Sequence, residues 1–176
     1  MKLWTRQFNI YLMTAAVLAL FCSCQTDKKE KEVSALRVHI ETNPDSTGTS
    51  ETISVMRSDP VLVTIAKEPI LTEANIVAAR VIDVPGGFAI QVQFDENGTW
   101  VLEQYSAANP GRHFVIFGQW GDKLSEGRWL AAPVITHRIA SGAWSFSIDV
   151  SSREEADRFV LGLNNVAKKI RKGQLK

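Results

Sequence analysis

From Ala35 the chain alternates, with Leu36, Val38 and Ile40 in one phase and Arg37, His39 and Glu41 in the other, the period of a half-buried strand. Residues 43–50, rich in Pro, Gly, Ser and Thr, break the alternation and predict a loop. Two short strands follow at 53–56 and 61–66, on either side of an Asp59-Pro60 turn. Residues 70–76 support no more than one helical turn around Glu73, Ala74 and Asn75. The β-branched and aromatic runs 77–84 and 88–94 are joined by Pro85, Gly86 and Gly87, a hairpin signal. Within the second run Phe88, Ile90, Val92 and Phe94 alternate with Ala89, Gln91, Gln93 and Asp95, so one face is buried and the other wet.

Asp95, Glu96, Asn97 and Gly98 turn the chain into a helix reaching about Ala108, with Val101, Leu102, Tyr105 and Ala108 expected on its inner face. Asn109, Pro110 and Gly111 stop it. A central strand is expected at 113–118, where Phe114 to Phe117 are continuously apolar, and the last two strands at 129–135 and 143–149. The C-terminal helix opens on a capping box of Ser151 and Glu154 and carries Ala156, Phe159, Val160, Leu163, Ala167 and Ile170 on one face. Lys168, Lys169, Arg171 and Lys172 complement the negative end of its dipole. A second reading makes that cluster a binder of anionic lipid or nucleic acid. The elements add up to an α+β fold, a mostly antiparallel sheet with two helices packed on one face, plus extra N-terminal strands.

The first residues follow another pattern. Lys2 and Arg6 precede a stretch, 10–21, that is apolar except for Thr14, too short for a spanning helix and suited to a secretory signal. It ends in Phe21, Cys22, Ser23 and Cys24, which resembles the bacterial lipobox. Cys24 follows small Ser23 and is the expected site of lipid attachment, whereas Cys22 follows bulky Phe21. The organisation expected is therefore a signal peptide at 1–23, a lipidated cysteine and flexible tether at 24–34, a strand region at 35–69 and the main domain at 70–172. The protein would reside outside the cytoplasm in a bacterial envelope, anchored to the membrane by its lipid, with the outer membrane favoured over the inner in a Gram-negative host.

Composition narrows the partners. The 176 residues are 45% hydrophobic and 22% charged, with a net charge of +1. Loss of Lys2 and Arg6 with the signal would leave 18 basic against 19 acidic residues. Such a balance offers no broad cationic field for phosphate backbones, so no nucleic-acid partner is expected.

The segment from about Ile70 to Leu163 resembles the head subdomain of the first periplasmic domain of SecD and SecDF, auxiliary components of the bacterial Sec translocase. The resemblance rests on an ordered series: Phe94, Asp95, Glu96, Asn97, Gly98; Gly111 and Arg112 before the apolar strand; Ala131, Ala132, Pro133, Val134, Ile135; Ile139, Ser141, Gly142; and Ser152, Glu154, Glu155, Ala156. It implies protein recognition, with exported polypeptide or an envelope or translocase protein as partner. The chain departs from the family in having no apolar segment of spanning length after its first, short one, hence no proton-conducting bundle, and in inserting residues 120–127 where the family has a tight turn.

Enzymatic chemistry finds little support. His39, His113 and His137 are the only histidines, and none has a Glu or His at ligand spacing, so no metal or cofactor is expected and each reads as a surface or strand-end residue. No Gly-x-Ser-x-Gly elbow or phosphate-binding loop occurs. The expectation is a non-catalytic domain. Its alternative is a small-molecule-binding or enzymatic lipoprotein that reuses the fold. Trp144 falls in the core phase, whereas Trp120, in the inserted loop between Gly118 and Gly121, is expected to be exposed and, with Trp129, to mark a partner surface.

Overall fold

The computed structural model describes residues 32–56, 60–149 and 152–173. The chain divides into two units, Met1–Lys31 and Glu32–Lys176, and the described residues all belong to the second. The signal peptide, Cys24 and most of the tether therefore lie outside the described residues, as does Ser151.

Among the described residues nine strands and two α-helices follow in order: β1 (Ala35–Ile40), β2 (Ser50–Val55), β3 (Val61–Ala66), β4 (Leu71–Thr72), β5 (Ile76–Val84), β6 (Gly87–Phe94), α1 (Glu96–Ala108), β7 (Phe114–Trp120), β8 (Glu126–Ala131), β9 (Ala143–Ser147) and α2 (Arg153–Arg171). They build an α+β fold in which every strand pairing among the described residues is antiparallel. One sheet has the order β4-β1-β7-β8, a second β5-β6-β9, and β2 and β3 form a separate hairpin. The main core joins Leu36, Val38 and Ile116 of the first sheet to Ile90, Val92 and Phe146 of the second, with Leu102 of α1 and Phe159 and Leu163 of α2.

The alternation of β1 holds, but His39 is only 6% exposed. The reason is tertiary: the β2-β3 hairpin folds Val55, Val63 and Ile65 over the back of the first sheet, against Val115 and the partly buried Trp129. The predicted wet face is thus covered at His39 while Arg37 stays exposed, and His39 donates from Nδ1 to the Ala66 carbonyl at 2.9 Å while meeting the Trp129 ring edge-on at 5.3 Å. His113 is half-buried, and His137 is exposed as expected.

Helix α1 begins where expected, capped by Asp95, whose Oδ1 accepts from the Gly98 amide at 2.7 Å. Its inner face is the expected one only in part, with Leu102 buried and Val101 packed against the core. Gly98, Leu102 and Ser106 are buried, while Tyr105 and Ala108 are exposed. The cause is close packing: a Cβ on Gly98 would lie 2.9 Å from the Cβ of Asn75, so only glycine lets the helix come down on this side. Ser106 then fixes the far end by accepting from the Ile139 amide at 2.9 Å.

Helix α2 starts one residue later than the expected capping box, because Ser152 is the N-cap and accepts from the Glu155 amide at 3.2 Å. The end of the tether is also corrected. Ser34 is buried, the Glu32 carbonyl accepts from Asn165 Nδ2 at 3.0 Å, and the Glu32 carboxylate meets Arg158 at 3.4 Å. Gly162 makes this crossing possible, since a Cβ there would lie 2.2 Å from Ser34 Oγ.

Candidate functional site

The site is a cleft formed where β8 and β9 part. Just past the end of β9 the chain is tied to β8, where the Asp149 amide donates to the Leu130 carbonyl at 2.8 Å. Beyond it β8 ends at Ala131, and Pro133 removes a backbone donor that a longer strand would need. The chain stays attached to the start of β7 instead: Phe114 N–H donates to Pro133 O at 3.0 Å and Ile135 N–H to Arg112 O at 2.8 Å. Because residues of an extended chain alternate the side to which their backbone groups point, Val134 directs its own amide and carbonyl away from β7.

Strand β9 forms the other wall, at the edge of its sheet. Gly142 O accepts from Phe94 N–H of β6 at 2.9 Å, and the same alternation puts the backbone groups of Ala143, Ser145 and Ser147 on the outer side. Ser141 Oγ occupies those of Ala143, accepting from its amide at 3.3 Å and donating to its carbonyl at 3.0 Å. Ser145 and Ser147 are left to present the edge.

Between the walls lies a space of about 430 Å³. Its floor is apolar, with Phe114 and Trp144 packed edge to face at 5.3 Å and both buried. At the rim Val134 is 49% exposed. The polar side chains around it are engaged with one another or with neighbours: Arg138 pairs with Glu103 of α1, and Thr136 Oγ1 lies 2.9 Å from His137 Nδ1. The hydrogen-bonding capacity facing the cleft is therefore mainly backbone.

The opposite edge of the same sheet is closed. Asn164 of α2 reaches β5 and makes two bonds with one residue, Nδ2 donating to Ala79 O and Oδ1 accepting from Ala79 N–H, both at 2.9 Å. An amide side chain thus stands in for a neighbouring strand.

The two tryptophans singled out by sequence lie elsewhere. Trp120 is 2% exposed, which corrects the expectation of an exposed loop aromatic. Of the residues read as an inserted loop, Trp120 ends β7 and Glu126 and Gly127 open β8, and Trp120, on the core side of β7, packs on Phe159 at 5.6 Å beneath the Arg128 guanidinium at 4.9 Å. Arg128 is held there by Glu155 at 2.7 Å. The tip of this hairpin is an irregular turn in which Lys123 and Leu124 take left-handed φ angles of 56° and 58°. Trp129 is partly buried, tilted against Phe117 at 5.0 Å.

The structure also joins two residues far apart in sequence. Glu41 Oε2 accepts from the His113 backbone amide at 2.9 Å and lies 2.7 Å from His113 Nδ1. Partial burial pushes the Glu41 carboxyl up, but the two bonds with His113 and the nearby Arg112 outweigh it and hold the group below its ordinary value. Burial holds the His39 imidazole below its own. Among the described residues no three His, Cys, Asp or Glu side chains come together as a metal site.

No protein-family model matches the chain, and no curated protein sequence does. Solved structures do. A structure of SecDF, described as a membrane component that enhances protein export, aligns with a TM-score of 0.54 at 21% identity over 80% of this chain and 66% of its own. SecDF in a super-membrane-facing form aligns with the same score and identity over 81% of this chain and 21% of its own. The chain thus spans less than two thirds of either protein. The fold is that of a SecD periplasmic domain, as the ordered motifs implied.

Proposed function

We propose that this chain is an extracytoplasmic, membrane-tethered polypeptide-binding domain acting in protein export, and that it binds rather than catalyses. The observation that carries the reading is the cleft: an apolar floor of Phe114 and Trp144 beside a strand edge at Ser145 and Ser147. An extended polypeptide entering it gains main-chain hydrogen bonds along β9, while alternate side chains reach the floor. Main-chain pairing of that kind tolerates many sequences, as a factor for exported chains requires. The likeness in fold to SecDF, a component that enhances export, supports the same role. Attachment through Cys24 would keep the domain on the membrane.

A small ligand would fit the volume, since such sites run from about 300 to 1,000 Å³. It would find few side-chain groups to orient it, because Arg138 and Ser141 are already engaged.

The test places a photo-crosslinking residue at Ser145 or Val134, with exposed Leu62 of the β2-β3 hairpin, which does not line the cleft, as control. Crosslinks to exported polypeptides from the first two positions, together with an export defect in a deletion strain, are expected. Equal crosslinking from Leu62, or normal export without the gene, defeats the reading.

A further inference from the structure

The basic end of α2 was left without a role by the cleft. Lys168, Lys169, Arg171 and Lys172 form the last turn and cap of the helix, and from Arg158 to the C-terminus at Lys176 there is no acidic residue. Lys168, Arg171 and Lys172 are exposed and Lys169 half-exposed. Among the described residues none of these four side chains is in an ion pair. One or two such charges would satisfy the helix dipole, whose influence falls off within the last turn.

Where the chain enters the domain gives the cluster its meaning. Glu32, the first described residue of this unit, is bound to α2 by Asn165 and Arg158. Asn165 precedes Lys168, Lys169 and Lys172 by three, four and seven residues, the spacings of one helix face. The close approach of Ser34 to Gly162 fixes this crossing sterically. Seven residues, 25–31, separate Cys24 from Glu32, and fully extended they span about 24 Å. A lipid on Cys24 therefore keeps the domain's entry point, and the basic face beside it, close to the bilayer surface.

We infer that the basic C-terminal face of α2 docks on anionic phospholipid headgroups and so orients the domain on its tether. The inference rests in part on the reading of Cys24 as the anchor. The charge is complementary and the surface is adjacent to the point of attachment, whereas the β2-β3 hairpin joins the domain at the other end of β1, where Glu41 pairs with Ile65. Each basic residue near an anionic surface is worth about fivefold in association, an effect confined to roughly a Debye length.

The test is amide hydrogen exchange on the full chain, anchored through its own N-terminus to vesicles of neutral phosphatidylcholine or of phosphatidylcholine with phosphatidylglycerol. Exchange across 166–173 is expected to slow by about 25-fold on the anionic vesicles only, the product of about fivefold from each of two residues seated on the surface. Raised salt, or the double substitution Lys168→Glu and Lys169→Glu, should remove the protection while exchange in α1 stays unchanged. Equal protection on both vesicle types overturns the inference, as does stronger protection by an oligonucleotide, which would assign the face to nucleic acid. The mass of Cys24 in the purified protein reports the anchor separately, so a chain lacking lipid but showing the composition-dependent protection would refute the anchor and keep the face.

Discussion

Along β5 the outer edge of the three-stranded sheet meets a side chain, Asn164, that satisfies both backbone groups of Ala79; along β9 the outer edge meets a cleft. Both strands belong to one sheet and face the same hazard, since an unpaired edge is a template for another chain. The difference lies in what covers them. A 19-residue helix, anchored in the core by Phe159 and Leu163, lies on β5. On β9 the chain closes only the two ends, through Ser141 at Ala143 and Leu130 at Asp149, and leaves the middle available. An edge guarded at its ends and open between them is what the proposed binding of a short extended segment would use.

The comparison breaks most completely if α2 is released. Phe159→Ala, emptying a site that is 1% exposed, should cost about 3–5 kcal/mol in urea unfolding and speed exchange of the Ala79 amide as the β5 edge opens. If Ala79 remains as protected as before, Phe159 is not what seats the helix on that edge.

Asn164→Ala removes only the plug. Leaving the Ala79 amide and carbonyl partly buried without partners should cost about 1–3 kcal/mol and give the protein a second adhesive edge, seen as concentration-dependent self-association in sedimentation. Asn164→Asp retains an acceptor for the Ala79 amide and loses the donor to its carbonyl, so it should fall between wild type and alanine.

Ser145→Pro sharpens the contrast from the other side. It deletes an outward-facing donor on an edge strand, where proline is tolerated. Stability should change less than with Asn164→Ala, while crosslinking of polypeptide in the cleft falls sharply. A variant that binds normally would show that β9 backbone pairing is not used.

The smallest effect concerns the hairpin over the first sheet. His39 has its imidazole held below 6.5 by burial, so the unfolded chain binds more protons in the interval between the lowered value and 6.5. Stability should therefore rise with pH through that window and flatten above it. Glu41, held below 4.5, adds stability that is present above 4.5 and lost as the pH falls through its lowered value, so the slope between pH 5 and 6.5 belongs to His39. Urea midpoints of wild type and His39→Gln across this range are the measurement, and equal slopes in the two proteins would remove His39 as the cause.

Much of this was legible from periodicity. The β5-β6 hairpin follows from two β-branched runs around Pro85, Gly86 and Gly87, and α2 from its apolar face, because in each case the pattern repeats often enough for local physics to decide it. The cleft left a fainter trace, in the Ala-Pro step after β8 and the serines that alternate along β9, residues whose value lies in backbone groups that no side-chain pattern reports. Trp120 was misread because the glycines around it look like a loop. Gly118 is instead a strand residue whose missing side chain makes room for Leu130 and Phe159, with a Cβ there only 2.4 Å from the Leu130 Cδ1.

Local pattern was enough for most of the strands, for both helices and for the ordered motifs of a SecD-type periplasmic fold, since these depend on neighbours a few residues away, but it missed β4 and set β8 at 129–135 where the strand is Glu126–Ala131. It took long-range packing to bury His39, to run the inner face of α1 through Gly98 and Ser106, to close one sheet edge with Asn164 while β9 stays open, and to bring the chain in beside the basic end of α2. Each of those depends on which element covers which, and that is settled by contacts between residues tens of positions apart, where a one-dimensional pattern carries no record of the partner.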